Sequence, residues 1–183
     1  MLPDLTRATL ADLPQIHRAM VDFYAHESLV LDEGVVAALQ ALMAKPDYGQ
    51  VYVIRSAPPQ PPADSSPPVQ TPIQTPSQTR PQSDLLSDSL EEDSATIGYC
   101  ILTFGYSLEL HGRTALIDEL YLPPALRGQG LGTQILQRVI QVCQEQGIRM
   151  LELEVRPDNP KARGLYERLG FRKHSRDILR LYP

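Results

Sequence analysis

The run Leu122-Pro123-Pro124-Ala125-Leu126-Arg127-Gly128-Gln129-Gly130-Leu131-Gly132 decides the fold. It stands between Ala115–Leu122, which reads as a strand, and Gly130–Gln146, which reads as a helix. A glycine-rich turn of this kind lets the backbone approach an anion closely. The first N–H groups of the following helix, and its dipole, favour negative charge there. Two other phosphate-binding patterns fail on spacing. The run lacks the Lys-Ser/Thr ending of a P-loop, and its glycines do not fall as G-x-G-x-x-G. By itself such a turn is a weak signal, since a Gly-rich turn can also serve no ligand.

Downstream, the helix carries an apolar stripe of Ile135, Leu136, Val139, Ile140, Val142 and Cys143 and is closed by Gly147. Met150–Val155 alternates as a strand, with Leu151, Leu153 and Val155 on one face. Then comes Asn159-Pro160-Lys161-Ala162-Arg163-Gly164-Leu165-Tyr166-Glu167-Arg168-Leu169-Gly170-Phe171, a short helix over Asn159–Leu169 ended by Gly170. Ala162, Leu165 and Tyr166 share one of its faces. Taken alone, Tyr166 reads as core packing. Ile178–Leu181 is expected to form a terminal strand.

Upstream, Thr9-Leu10-Ala11-Asp12 reads as a capping box, with Pro14 in the first turn of a helix whose inner face is Leu13, Ile16, Met20, Phe23 and Tyr24. A second helix is expected from Asp32 to Ala44, ended by Lys45-Pro46-Asp47. Val51–Arg55 and Ile97–Phe104 read as antiparallel neighbours, and His111-Gly112 as a turn between two further strands. The order β-α-α-β-β-β-α-β-α-β gives a mixed α/β fold: a central sheet flanked by helices.

The segment between those two neighbouring strands, Ser56–Thr96, holds nine of the chain's 17 prolines, with Ser, Gln, Thr and Asp making up most of the remainder. It cannot bury enough apolar surface to offset the entropy of ordering, so it is expected to be disordered. Closing a loop costs entropy only as the logarithm of its length, so a hairpin tolerates such an insertion. The expectation is therefore a single domain over 1–183 with an insert at 56–96. Six acids and one base give that segment a net charge of −5, equal to the charge of the whole chain. The remainder has sixteen basic and sixteen acidic residues and is formally neutral. No basic patch points to nucleic acid. No run of 18 apolar residues predicts a membrane span. The start Met1-Leu2-Pro3-Asp4-Leu5 has no secretory pattern, and Cys100 and Cys143 form neither a disulfide framework nor a metal spacing. These features predict a cytoplasmic protein with no metal.

Taken together, the two motifs resemble those of the GNAT superfamily of acetyl-CoA-dependent N-acetyltransferases. The family's cofactor motif R/Q-x-x-G-x-G/A is matched by Arg127, Gly130 and Gly132, with its lead-in matched by Leu122 and Pro124. Its second motif, N-x-x-A-x-x-L-Y-x-x-x-G-F, is matched by Asn159, Ala162, Leu165, Tyr166, Gly170 and Phe171. The resemblance covers nearly the whole chain except Ser56–Thr96, which departs from the family pattern.

The resemblance implies acetyl-CoA as co-substrate and an amine as acceptor. The cofactor would insert where Ala115–Leu122 and Met150–Val155, as parallel neighbours, splay apart. Leu120, Tyr121 and Leu122 would offer backbone groups to the pantetheine arm, as an added strand does. Gly128, Gln129, Gly130, Leu131, Gly132 and Thr133 would wrap the pyrophosphate. Arg127 would add charge there or brace the loop. Asn159 would contact the pantetheine arm or cap its own helix.

The reaction needs a neutral amine. A lysine-like amine has a pKa near 10.4, so roughly one in 2,500 is neutral at pH 7. Family members often place a carboxylate on the strand before the loop, which makes Glu119 the leading base and Asp118 its neighbour; Glu154 and Glu109 are weaker choices. Side chains alternate on a strand, so one of Asp118 and Glu119 should face the cleft. Tyr166 would protonate the departing thiolate. Phe23-Tyr24-Ala25-His26-Glu27 ends the first helix, in a region that lines the acceptor site in relatives, so Tyr24, His26 and Glu27 are candidate acceptor contacts, with packing and surface roles as the alternative. Cys100 and Cys143 read as core, and His17, His111 and His174 have no partners at readable spacing. The expected activity is acetyl transfer to a primary amine of a small molecule. The alternatives are a protein N-acetyltransferase and a non-catalytic acetyl-CoA-binding module. Relatives are often homodimers.

Overall fold

A computed structural model describes residues 4–55 and 97–182. The strands are β1 (Asp4–Arg7), β2 (Gly49–Arg55), β3 (Ile97–Ser107), β4 (Gly112–Tyr121) and β5 (Met150–Leu153). The helices are α1 (Leu13–Glu27), α2 (Glu33–Ala44), α3 (Leu131–Glu145) and α4 (Pro160–Arg168). The strands form one sheet in the order β1-β2-β3-β4-β5. The first three pairings are antiparallel and β4–β5 is parallel.

Each face of the sheet is buried by helices. On one face, Ile135, Leu136 and Val139 of α3 pack against Cys100, Leu102, Ala115 and Ile117. On the other, Ile16, Ala19 and Met20 of α1 and Leu39 of α2 pack against Val51, Val53, Tyr99, Ile101 and Tyr121. A fully buried aliphatic side chain contributes about 1.5–3 kcal/mol. An exposed ion pair such as Arg138–Glu145 (3.5 Å) contributes about 0.2–1 kcal/mol. Burial therefore holds α3 on the sheet.

Local signals set the helix starts. Asp32 caps α2 by accepting from the Val35 N–H at 3.0 Å. Asp12 accepts from the Thr9 N–H (2.8 Å) and hydroxyl (2.9 Å), and its other oxygen pairs with Arg55 at the end of β2. Burial works against the Asp12 charge, but these donors outweigh it and hold its carboxyl below the usual range. The turn into α1 is thus fastened to the sheet.

β2 and β3 pair without a break from Gly49↔Thr103 to Arg55↔Ile97, so residues 56–96 connect the two strands of one hairpin. The expected disorder of Ser56–Thr96 lies outside the described residues. The expected terminal strand over Ile178–Leu181 does not form. Residues 171–182 have no strand, and Ile178, Leu179 and Leu181 are exposed. Arg176 reaches Glu109 and Arg180 reaches Glu154. These contacts attach the segment at side-chain length, without the backbone ladder that would bring its apolar residues down onto a sheet.

Replacing 56–96 with a short glycine-containing turn shortens the loop about eightfold, which lowers its closure entropy by about 2 kcal/mol. The melting temperature should therefore stay level or rise in a calorimetric scan. A fall of more than about 4 °C would show that the segment packs on the core.

Candidate active site

The pairing of β3 with β4 contains one irregularity. Ile101 pairs with Glu119 while Leu102 pairs with Ile117, so Asp118 is an extra residue with no partner on β3. This is a β-bulge, and it changes which face each later side chain takes. Ala115 and Ile117 face α3, but Glu119 and Tyr121 face α1, beside Ile101 and Tyr99. Unbroken alternation would have turned Glu119 toward α3.

The bulge also ends the parallel pairing. β4 and β5 pair from Thr114↔Met150 to Ile117↔Leu153, and then part. β5 was expected to reach Val155, but it stops two residues earlier, level with the bulge. Beyond that point the backbone of Glu119, Leu120 and Tyr121 has no ladder partner on β5. Asp118 is exposed there; partial burial raises its carboxyl, and Glu154 adds to the rise.

Glu119 has both oxygens occupied. Its Oε1 accepts from the Tyr24 hydroxyl at 2.7 Å and its Oε2 from the Tyr99 hydroxyl at 2.8 Å. Burial pushes the Glu119 carboxyl up. The two phenols pull it back, and Asp118 adds to the rise. Tyr24 and Tyr99 are themselves raised, chiefly by burial and by the Glu119 charge. Tyr99 is fully buried, with ring contacts to Phe23 (6.2 Å) and Tyr121 (5.9 Å). Sequence reading did not single out Tyr99. The available signal was an aromatic hydroxyl on the strand paired with the one that carries Glu119.

The glycine loop follows. Gly128 (φ 78°) and Gly130 (φ 76°) both take left-handed backbone, and a Cβ at either would point into open space. Gly130 caps α3, so the N–H groups of the first turn, including Leu131 and Gly132, have no acceptor within the helix. Thr133 and Gln134 bond back to the Gly130 carbonyl, and Gln129 closes the loop by donating to Ala125 O at 3.0 Å. Arg127 donates from Nε to Leu122 O at 2.7 Å, with its guanidinium 5.6 Å from the Tyr121 ring. Of its two expected roles, the structure displays the bracing one. A loop with open backbone and orphan N–H groups, beside the point where β4 and β5 stop pairing, fits an extended anionic ligand such as acetyl-CoA.

The second motif lies on the α3 side. Asn159 caps α4, accepting from the Ala162 N–H at 3.1 Å. Tyr166 is half-buried, with its ring edge-on to Phe171 (5.9 Å). Burial raises its phenol, with Cys100 and Glu27 adding to the effect, and its hydroxyl makes no hydrogen bond among the described residues.

Of the expected acceptor residues, Tyr24 and Asp118 lie at the Glu119 cluster. His26 is exposed and, two residues on, stands about 200° around α1 from Tyr24. Glu27 instead meets Arg156, whose Nη1 lies 3.8 Å from Glu27 Oε2 and bonds the Glu27 carbonyl at 3.4 Å. Arg156, also not singled out from sequence, thus ties the end of α1 to the chain leaving β5. Among the described residues no group of three or more His, Cys, Asp or Glu could hold a metal, and no helix is long and apolar enough to cross a membrane.

Residues 48–171 match the model of the acetyltransferase (GNAT) family, so the chain belongs to that family. Among curated proteins, thialysine N-epsilon-acetyltransferase from Bos taurus is 36% identical over 74 residues, which is 40% of this chain and 43% of that protein. N-alpha-acetyltransferase 30 from Schizosaccharomyces pombe is 35% identical over 71 residues, 37% of this chain and 47% of that protein. The matches thus span about half the length of these relatives or less. Among solved structures, an integron cassette protein from a salt-marsh metagenome has a TM-score of 0.69 and 26% identity, covering 97% of this chain and 89% of its own. A Trypanosoma brucei acetyltransferase has a TM-score of 0.60 at 17% identity, covering 99% of each chain, and shares the fold.

Deleting Asp118 should remove the bulge but leave Glu119 opposite Ile101 and beside both phenols, because Ile117 and Glu119 then become adjacent residues on opposite faces. With the distortion gone, β5 can continue its pairing past Leu153, so acetyl-CoA affinity in calorimetry should fall at least tenfold with the circular dichroism retained. Undiminished affinity would mean that the bulge does not hold the two strands apart.

Proposed function

We propose that the chain transfers an acetyl group from acetyl-CoA to a primary amine of a small molecule, by direct attack of the amine on the thioester. The observation that carries this reading is a half-buried carboxylate, Glu119, held by two phenols at the point where parallel strands part above a glycine loop. Acetyl-CoA supplies the activated acyl group; this chain's residues bind, orient and move protons. The first N–H groups of α3 and the open backbone of Gly128–Gly132 would take the pyrophosphate. The backbone from Leu120 to Leu122, without a ladder partner on the β5 side, would align the pantetheine arm and offer an N–H to the developing oxyanion. Glu119 would receive the proton of the acceptor ammonium, and its raised pKa suits that task. The Tyr166 hydroxyl, without a hydrogen-bond partner among the described residues, would be available to protonate the departing thiolate.

The Arg156–Glu27 contact joins the end of α1 to the chain leaving β5, beside the expected acceptor side, and in this reading would favour a slender acceptor. The relative named for thialysine N-epsilon acetylation points the same way. In this reading residues 1–183 act as one domain with 56–96 as an insert. Both cysteines are free and buried, which supports a cytoplasmic setting.

Turnover of acetyl-CoA with thialysine, lysine, 1,4-diaminobutane and a short peptide with a free N-terminus tests the reading. At least one amine should release free thiol, the small amines fastest. The Gly130→Val variant places a branched side chain at φ 76° beside the expected pyrophosphate. Its acetyl-CoA affinity in calorimetry should fall at least tenfold with the circular dichroism retained. No turnover with any amine, or undiminished affinity in Gly130→Val, would sink the assignment.

Tyr166→Phe keeps the ring against Phe171 and removes only the hydroxyl. If that hydroxyl protonates the thiolate, the single-turnover rate should fall about 10²–10³-fold. The Michaelis constant for acetyl-CoA should barely move, because the lost interaction develops in the transition state. A wild-type rate in a folded variant would leave Tyr166 with packing alone.

A further inference from the structure

We propose that the Tyr24 hydroxyl, rather than Glu119 itself, meets the acceptor nitrogen and relays its proton to Glu119 Oε1, while Tyr99 positions the carboxylate from its other oxygen. This rests on the reading above, in which Glu119 is the base.

The geometry assigns the two phenols different tasks. Tyr99 is fully buried and enclosed by Phe23 and Tyr121, so the Oε2 side of the carboxylate is sealed from any acceptor. Tyr24 is only partly buried and lies in the last turn of α1, where its carbonyl is fixed by the Leu29 N–H at 2.8 Å. The Oε1 side therefore meets the less enclosed of the two phenols, the Tyr24 hydroxyl 2.7 Å away. A hydroxyl has one proton to donate and two lone pairs that accept. While donating to Glu119, Tyr24 can accept an N–H from an ammonium ion.

The charges around the relay suit that visitor. Asp118 and Glu119 on β4 and Asp32 at the start of α2 all act on the Tyr24 hydroxyl. On Glu119 itself the acting groups are Tyr24, Tyr99 and Asp118. Asp22 of α1 lies 3.5 Å from the Tyr121 hydroxyl, and Tyr121 in turn acts on Tyr99. The groups named on the Tyr24 hydroxyl and on Glu119 include no base; Arg127 acts one ring further out, on Tyr121, with its Nε bonded to Leu122 O. A cationic amine would enter as a counter-charge beside Tyr24.

The proton balance is simple. The ammonium N–H bond breaks as a new O–H bond forms on Tyr24. Tyr24's original O–H bond breaks as an O–H bond forms on Glu119 Oε1. The nitrogen keeps its electron pair for attack, and Glu119 ends protonated. Tyr24 never exists as a free phenolate, which its burial and the neighbouring carboxylates would oppose. The two transfers must therefore move together.

The test compares Tyr24→Phe, Tyr99→Phe, Glu119→Gln and the double variant Tyr24→Phe/Glu119→Gln, using thialysine as the amine probe, or the peptide if only the peptide is acetylated. Each variant is checked for acetyl-CoA binding by calorimetry, and the pH profile of kcat/KM for the amine is measured. Tyr24→Phe should lose about 10²-fold near pH 7, as Glu119→Gln does, and both losses should shrink toward pH 10 as free amine appears. The double variant should be no worse than either single one. Tyr99→Phe should lose less than about tenfold. A proton inventory of wild-type single turnovers in mixed light and heavy water should curve, since two protons move together; this readout does not depend on any variant folding. A wild-type profile in Tyr24→Phe beside an impaired Glu119→Gln, or a linear inventory, would overturn the relay and leave Glu119 as a direct base. A wild-type profile in Glu119→Gln would overturn the base assignment itself, and the relay with it.

Discussion

One extra residue in one strand governs the site. Asp118 has no partner on β3, and its insertion shifts the pleat of β4 by one position. Before it, Ala115 and Ile117 point into the α3 core; after it, Glu119 and Tyr121 point toward α1. Parallel pairing with β5 stops at Ile117↔Leu153, immediately before the bulge. A bulge bends and twists its strand, and a parallel neighbour that does not bulge cannot follow. The turn of Glu119 and the opening of the sheet are therefore two results of one local distortion.

That distortion places a carboxylate where an apolar side chain would otherwise pack, and the structure must compensate. Bringing a carboxylate out of water costs several kcal/mol, and a hydrogen bond to a charged acceptor returns about 1.5–3 kcal/mol. Two phenols, one from α1 and one from β3, thus offset part of that cost. They do not cancel the desolvation, since the carboxyl remains raised. The balance leaves a group that takes a proton more readily than an exposed glutamate. Phe23, edge-on to both phenol rings, and Tyr121, tilted against Tyr99, pack around the cluster without adding charge.

Much of this was legible in the sequence, and the missing parts have physical causes. The glycine loop, the α4 motif and the apolar stripe of α3 are local patterns, and local patterns survive in one dimension. The pairing of Val51–Arg55 with Ile97–Phe104 was readable because composition shifts so sharply at Ser56. Alternation along β4 correctly required that only one of Asp118 and Glu119 face the cleft, but no residue type announces the bulge, so the side on which Glu119 would lie could not be read. Tyr99 was missed because its partner is 20 residues away, across a strand pair. Arg156 was missed because its contact with Glu27 spans 129 residues. The terminal strand was over-read: Ile178–Leu181 has strand-like residues, but a strand exists only where a ladder receives it, and Arg176 and Arg180 are engaged elsewhere.

The sheet separates the two proton-handling groups proposed here. Glu119, with Tyr24 and Tyr99, belongs to the α1 face, whereas Tyr166 packs with the α3 face beside Phe171. An intact sheet would keep them apart, because paired strands leave no passage between faces. Pairing ends at Leu153, and in the proposed reaction one ligand would reach both groups beyond that point. Cys100 on the α3 face and Glu27 at the end of α1 both act on the Tyr166 phenol, so its ring lies where the two faces come within electrostatic reach of each other. An amine deprotonated from one face and a thiolate protonated from the other never compete for the same group. In the proposed reaction the proton taken up at Glu119 would not return directly to the sulfur, and Tyr166 would be recharged from solvent on its own side. Separating the two routes would let each group be tuned by its own face, where burial raises both the Glu119 carboxyl and the Tyr166 phenol.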